Sequence, residues 1–157
     1  MDMDIYLGQE YVGEAKLESS GYDGPANLKT LITRDAVATF PIPATTTAIN
    51  QYAFRLWNSL TTLDIPGSVK SLGDFALYYC QGLLNVKISE GCLTIGKSAF
   101  AQCKKLQQII IPSTVATIGT SAFANTSADL IIMVNKEPDS IAGAPWGNST
   151  ATIVWNN

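Results

Sequence analysis

Apolar residues recur along this chain at a fixed interval of 23. Ile49, Leu72, Ile95, Ile118 and Ile141 form one column, Leu63, Val86, Ile109 and Ile132 a second, and Ile65, Ile88, Ile111 and Val134 a third. The pairs Ala53-Phe54, Ala76-Leu77, Ala99-Phe100 and Ala122-Phe123 keep the same step, because 76 − 53, 99 − 76 and 122 − 99 all equal 23. Trp57, Cys80 and Cys103 share a further column, which Thr126 breaks. Backwards, Val37, Phe40, Ile42 and Pro43 fall in phase with Leu60, Leu63, Ile65 and Pro66; forwards, Trp146 falls in phase with Phe123. The spacing shows no insertion or deletion. Self-similarity at a period of this length is the mark of a stacked-repeat architecture.

Within one period, Leu60-Thr61-Thr62-Leu63-Asp64-Ile65 alternates apolar and polar positions, which predicts a strand with one buried face. Its counterparts are Val37 to Ile42, Leu83 to Ile88, Leu106 to Ile111 and Leu130 to Val134. They are expected to stack as a parallel sheet, one strand per coil. Pro43, Pro66 and Pro112 end the ladder, having no N–H to donate. Val69 with Leu72, and Val115 with Ile118, predict a second short strand. Gly73, Gly96 and Gly119 then lead into a helical or 3-10 turn that carries the Ala-Phe pair, with Ala against the neighbouring coil and Phe in the centre. One coil cannot bury enough apolar surface alone, so the copies must share a core and the ends must be capped. Trp146 and Trp155 supply large caps, and Ala151 to Trp155 predicts a last strand with Ile153 and Trp155 in phase with Leu130 and Ile132.

Residues 1–27 lie outside the register. Ile5-Tyr6-Leu7 and Tyr11-Val12, punctuated by Gly8 and Gly13, predict a β hairpin that caps the first coil or joins an assembly. The domain reading is therefore a cap segment at 1–27 and a repeat domain at 28–157 that includes a C-terminal cap.

The stretches Ile95 to Val115, IGKSAFAQCKKLQQIIIPSTV, and Leu72 to Cys92, LGDFALYYCQGLLNVKISEGC, resemble the BspA-like leucine-rich repeats. The likeness covers about residues 28 to 157. It departs from the commoner leucine-rich repeat at Ser68, Gly91 and Thr114, which leave no asparagine ladder for the convex side. The resemblance implies an α/β solenoid leucine-rich repeat fold. It also implies a non-catalytic recognition or adhesion module, commonly at a bacterial cell surface, with a protein or glycan partner. The opening MDMDIYLGQEYVG and the following ANLKTLITRDAVATFPIPATTTAINQYAF are similar to small repeat proteins of phage tail gene clusters. That second likeness implies a structural or host-interaction component of a phage virion.

Composition narrows the chemistry. At 157 residues the chain suits one domain, and a net charge of −3 gives no basic face for nucleic acid. No apolar run approaches the ~20 residues of a membrane span. The start, MDMDIYLG, is acidic and lacks an apolar core, so this chain shows no signal peptide. An extracellular or cell-surface location then requires a trimmed signal, and a virion requires none. The oligomeric state stays open, with residues 1–27 the segment through which a homo-oligomer would form.

The absence of histidine removes Ser/His/Asp and Cys/His arrangements. Asp64, Asp74 and Glu90 fall on different parts of the coil, so no carboxylate pair is expected. The chain reads as no enzyme, with no cofactor and no metal. Cys80, Cys92 and Cys103 sit in apolar columns without a CxxC, which reads as small buried hydrophobes. Cys80 and Cys103, in phase on neighbouring coils, also lie within bridging reach.

Two surfaces are candidates for partner binding. The outward strand positions make the rows Thr39, Thr62, Asn85, Gln108, Ile131 and Pro41, Asp64, Lys87, Ile110, Met133, polar in the middle and apolar towards the C-terminus. Ile110, Ile131 and Met133 either form an exposed apolar patch beside Trp155 or are covered by the last coil and tail, and covering is the expectation. On the turn side, Tyr52 and Phe75, Leu56 and Tyr79, and Arg55 and Tyr78 share phases. Aromatics with an arginine suit an interface; the alternative is that these tyrosines flank the core. Asn125-Thr126-Ser127 and Asn148-Ser149-Thr150 match the N-glycosylation pattern, for which modification is not expected.

Overall fold

The computed structural model describes the backbone of residues 2–7, 10–18 and 21–22 and all atoms of 38–42 and 44–156. Its strands are β1 (Asp2–Leu7), β2 (Glu10–Glu18), β3 (Gly21–Tyr22), β4 (Ala48–Ile49), β5 (Thr62–Ile65), β6 (Ser71–Leu72), β7 (Asn85–Ile88), β8 (Thr94–Ile95), β9 (Gln108–Ile111), β10 (Thr117–Ile118), β11 (Ile131–Val134) and β12 (Thr152–Trp155). They form two sheets, ordered β12-β11-β9-β7-β5 and β1-β2-β3-β4-β6-β8-β10. The five-stranded sheet is parallel throughout. Leu63 lies beside Val86, Val86 beside Ile109, and Ile109 beside Ile132, so each step along the sheet is one 23-residue coil. In the second sheet β4, β6, β8 and β10 repeat the same step. There β1 and β2 pair antiparallel, and Tyr22 of β3 lies parallel to Ile49 of β4.

The strands are shorter than the alternation predicts. Leu60, Leu83, Leu106 and Leu130, read as strand starts, are fully buried at the turns that precede β5, β7, β9 and β11. Of the predicted first strand, Val37 lies outside the described residues, and Thr39 makes only an isolated bridge to Thr62.

The turn carrying the Ala-Phe pair is not helical. No helix occurs among the described residues. Tyr52, Phe54 and Leu56 donate their N–H groups to the carbonyls of Asp74, Ala76 and Tyr78 on the next coil, at 3.3, 2.7 and 3.0 Å. The intervening Ala53, Arg55 and Trp57 donate three residues back, to Asn50, Tyr52 and Phe54. In a helix the donors beyond the first turn would all bond within their own segment. The neighbouring coil competes for alternate donors and wins, giving a third inter-coil ladder. The same pattern links Phe75, Leu77 and Tyr79 to Lys97, Ala99 and Ala101. Alternation of this kind requires left-handed residues four apart: φ is 63° at Tyr52, 66° at Leu56, 56° at Phe75, 65° at Tyr79, 52° at Ser98 and 65° at Gln102.

The core follows the columns. Phe54, Leu77, Phe100 and Phe123 are completely buried in line, with Ala53, Ala76, Ala99 and Ala122 equally buried beside them. Phe100 stacks on Phe123 with centroids 5.5 Å apart and planes at 11°, and Phe123 meets Trp146 edge-on at 6.1 Å. Trp155 packs on Trp146 at 6.4 Å, which closes the aromatic column.

None of the three buried cysteines is in a disulfide. Cys80 donates to the Phe54 carbonyl at 2.9 Å and Cys103 to the Leu77 carbonyl at 3.2 Å, both 26 residues back. These thiols occupy part of the role that an asparagine ladder fills elsewhere. Burial pushes the Cys92 thiol up to about 11, so it stays protonated at neutral pH.

The last coil departs from the sequence register. Ile153 lies beside Ile132 and Trp155 beside Val134, a step of 21 residues where the phase predicts 23. Asn148 explains the shortening. Its buried side chain donates to the Thr126 hydroxyl at 2.8 Å and the Ser127 carbonyl at 2.9 Å, and accepts from the backbone of Thr150 and Ala151. This clamp turns the chain into β12 early. It also leaves the amide of Asn148 fully engaged, which argues against its modification.

A carboxylate clamp joins two coils at the opposite edge. Glu90 accepts from the Ser113 N–H and hydroxyl, each at 2.9 Å, and from the Thr114 N–H at 3.2 Å. The Ser113 N–H, ahead of the other bonds, holds its carboxyl below the ordinary value of 4.5. A depressed folded-state pKa stabilises the fold above the unfolded-state pKa, and that contribution is lost as pH falls through the folded value. Glu90→Gln is therefore expected to lie slightly below the parent in thermal midpoint at pH 7, with the gap closing on acidification. Parallel melts at pH 7 and pH 3 check this; a gap that widens in acid contradicts it.

Candidate functional site

The turn side of the first two fully described coils carries an aromatic ridge. The rings of Tyr52 and Phe75 stack at 5.3 Å with planes at 21°, Phe75 meets Tyr78 edge-on at 5.6 Å, and Tyr78 lies 5.9 Å from Tyr79. The Arg55 guanidinium sits 5.5 Å from the Tyr52 centroid and 6.0 Å from that of Tyr78. The register thus brings Tyr52, Arg55, Phe75, Tyr78 and Tyr79 into one cluster. Tyr52 is 37% exposed, Arg55 is exposed, and the other three are half-buried. None belongs to the buried core, whose position in this coil is filled by Leu77.

The equivalent positions of later coils carry other side chains. The column of Tyr52 and Phe75 continues as Ser98 and Ser121, and the column of Arg55 and Tyr78 as Ala101 and Ala124. Tyr79 is followed by Gln102 and Asn125. Ser98, Gln102, Ser121 and Asn125 hold the same left-handed backbone, with φ between 52° and 65°. A bulky residue at such a φ is an outlier, since its Cβ crowds the following carbonyl. Later coils meet the conformation with small or polar residues; the first two use aromatics and leucine. The left-handed columns carried no local sequence signal apart from Asn125, a residue type that tolerates them.

The five-stranded sheet offers the second surface. Asp64 and Lys87 are exposed neighbours in register across β5 and β7. A shallow groove of about 300 Å³ runs over them and is lined by Thr62, Asp64, Asn85, Lys87, Gln108 and Ile110 among others. A larger one of about 540 Å³ lies at the N-terminal end, between Thr39, Pro41, Asp64 and Ser89. Ile110 and Met133 sit side by side on β9 and β11, half-exposed, and the Gln108 side-chain amide donates to the Met133 sulfur at 2.9 Å. The tail does not cover this end. Strand β12 joins the sheet edgewise, so it places Thr152 beside Ile131 and Val154 beside Met133 and leaves Ile131 41% exposed. Val154, 37% exposed, extends the apolar row, and the sequence phase missed it because the last coil is two residues short.

Among the described residues no group of three or more Cys, Asp or Glu side chains is placed to hold a metal ion. No helix among them is long and apolar enough to cross a membrane.

Comparison with known proteins agrees with this geometry. The chain aligns over 98% of its length with 99% of a leucine-rich repeat protein from Bacteroides capillosus, with a TM-score of 0.60 and 23% identity. It aligns over 99% of its length with 42% of a leucine-rich repeat protein from Bacteroides ovatus, with a TM-score of 0.57 and 17% identity. At these identities the likeness is one of fold. A search of curated proteins finds no match. The family described as the BspA type leucine rich repeat region matches residues 33–142 in six copies. With that match spanning most of the chain, and with its coils stacked as a parallel β-solenoid, the protein belongs to the BspA-type leucine rich repeat family.

Proposed function

We propose that this protein is a non-catalytic recognition module that binds a protein or glycan at a cell surface through its aromatic ridge. One observation carries the reading: Tyr52, Phe75, Tyr78 and Tyr79 stack around Arg55 outside the core, at positions where later coils carry serine, alanine, glutamine and asparagine. Aromatic rings and arginine are enriched where binding energy concentrates, because they offer large rigid contact area with a polar handle. The grooved sheet face with Asp64, Lys87, Ile110 and Met133 is the secondary surface for the same role. Placement at a bacterial surface follows the habit of the family.

The test is binding of the full chain to arrays of immobilised glycans and extracellular-matrix proteins, repeated with Tyr52→Ala and Tyr79→Ala. Each substitution is expected to weaken binding at least about tenfold while leaving the melting temperature nearly unchanged. A large fall in melting temperature would assign the rings to packing, and no binding to either array by the parent would overturn the reading. The virion alternative draws on residues 1–13 and 26–54, much of which lies outside the described residues. Flanking tail genes would favour it over a surface module.

A further inference from the structure

The C-terminal end of the solenoid carries a strand edge whose chemistry matches itself. Strand β12 is the last of the five-stranded sheet. Thr152 and Asn156 donate their N–H groups to Leu130 and Val134 on the β11 side, both at 2.8 Å. Backbone groups alternate sides along a strand, so Ile153 and Trp155 direct their N–H and C=O groups to the open side. An edge with free donors and acceptors is a template for another strand. Natural edges are commonly blunted by charge, proline or a bulge. The segment Thr152-Ile153-Val154-Trp155 has none of these, and its outward neighbours Ile131 and Met133 are also uncharged.

We propose that this edge pairs with the β12 edge of a second copy of the chain, antiparallel and about a two-fold axis through Val154. The register follows from the side on which each residue bonds. Within β12 only Ile153 and Trp155 face the open edge, and an antiparallel pair exchanges both bonds between residues directly opposite. Setting Ile153 opposite Trp155 of the second copy uses all of these groups on both strands, whereas Ile153 opposite Ile153, or Trp155 opposite Trp155, uses half. Val154 then faces its own symmetry mate on the outer surface.

The side chains fit the same register. Ile153 and Trp155 point to the core side, where both are only partly buried against it. Each meets the other across the axis, which extends the apolar interior from one solenoid into the next. On the outer face the exposed Val154 joins the exposed Ile131 and half-exposed Met133 to the same three residues of the second copy. Two-fold symmetry sets like against like at the axis, which a charged edge would oppose and this uncharged one does not. The surface is distinct from strands β1 to β3, which lie beside β4 at the other end of the stack, and from the aromatic ridge.

The experiment is sedimentation equilibrium of the full chain from about 5 to about 500 μM, a span suited to a small interface. The parent's weight-average mass is expected to rise from 16.8 kDa towards twice that value. Val154→Lys, on the exposed face, is expected to remain at the monomer mass with an unchanged melting temperature at low concentration. Val154→Cys supplies an independent readout. Non-hydrogen-bonded antiparallel partners lie ~4.5 Å apart between Cα atoms, within disulfide range. Mild oxidation should therefore link Val154→Cys into a dimer and leave Thr152→Cys, which faces Asn156 of the second copy, largely unlinked. A parent that stays monomeric, a Val154→Lys variant that associates as the parent does, or equal linking of the two cysteine variants would each overturn the proposal.

Discussion

Phe100→Ala is expected to lower the stability of this protein by about 3 to 5 kcal/mol, the range for deleting a fully buried phenylalanine ring. Phe100 has no exposed surface and stacks directly on Phe123 in the next coil. Its own coil cannot close the gap, because the backbone on either side is tied to its neighbours: the Phe100 N–H donates to Ala122 at 2.9 Å and the Leu77 N–H to Ala99 at 2.8 Å. Both ladders hold the coils at fixed spacing, so the hole left by the ring persists, and the cost rises with the cavity that remains. In a stack where each coil contacts only its neighbours, a defect in the middle also weakens communication between the two ends. Urea unfolding followed by tryptophan fluorescence and by far-UV circular dichroism checks both points. Trp57 and Trp146 report on opposite sides of the lesion, and the two transitions are expected to separate. A variant that unfolds with the parent's midpoint would remove Phe100 from the shared interior.

The architecture was legible in the sequence because a solenoid makes the same demand of every coil. Each turn must present apolar side chains at the same phase, and Leu63, Val86, Ile109 and Ile132 answer that demand with no gap. The turn conformation was not legible, because its hydrogen bonds are not local. A segment such as Tyr52 to Trp57 reads as a helical turn when its own carbonyls are the only acceptors considered. Half of its donors, those of Tyr52, Phe54 and Leu56, instead use the carbonyls of Asp74, Ala76 and Tyr78, more than twenty residues on. The last coil misled for a similar reason. Trp146 keeps its phase with Phe123, but the buried Asn148 gathers its bonds from Thr126, Ser127, Thr150 and Ala151 and takes two residues out of the return to β12. Of the candidate surfaces, the grouping of Tyr52, Arg55, Phe75, Tyr78 and Tyr79 followed from the register alone. Their position outside the core did not, since it depends on left-handed backbone at Tyr52, Phe75 and Tyr79.

Gly96→Ala sets two physical effects against each other, and their sizes predict a large loss of stability. The backbone at Gly96 is not among the left-handed glycines, which are Gly91, Gly143 and Gly147 among the described residues. On conformational grounds alone, alanine there would stabilise by about 0.4 to 1 kcal/mol, by restricting the unfolded chain. Space decides otherwise. A Cβ at Gly96 would lie 2.6 Å from the Asp74 nitrogen and 2.6 Å from the Gly73 carbonyl carbon. Both atoms are backbone of the preceding coil and cannot rotate away. Gly73 repeats the contact one coil earlier, where a Cβ would lie 2.6 Å from the Gln51 nitrogen. The glycine column thus marks a line of close backbone approach between successive coils. Relief requires the coils to separate, which lengthens the bonds from Gly96 to the Leu72 carbonyl, now 2.8 Å, and from Lys97 to the Asp74 carboxylate, now 2.7 Å. Forced overpacking of this kind costs about 1 to 3 kcal/mol where side chains can yield, and backbone yields less. The net expectation for Gly96→Ala is a loss of at least about 3 kcal/mol, read as a fall in the urea midpoint. A variant as stable as the parent, or more so, would show that the conformational term prevails and that the coils have room to part at this edge.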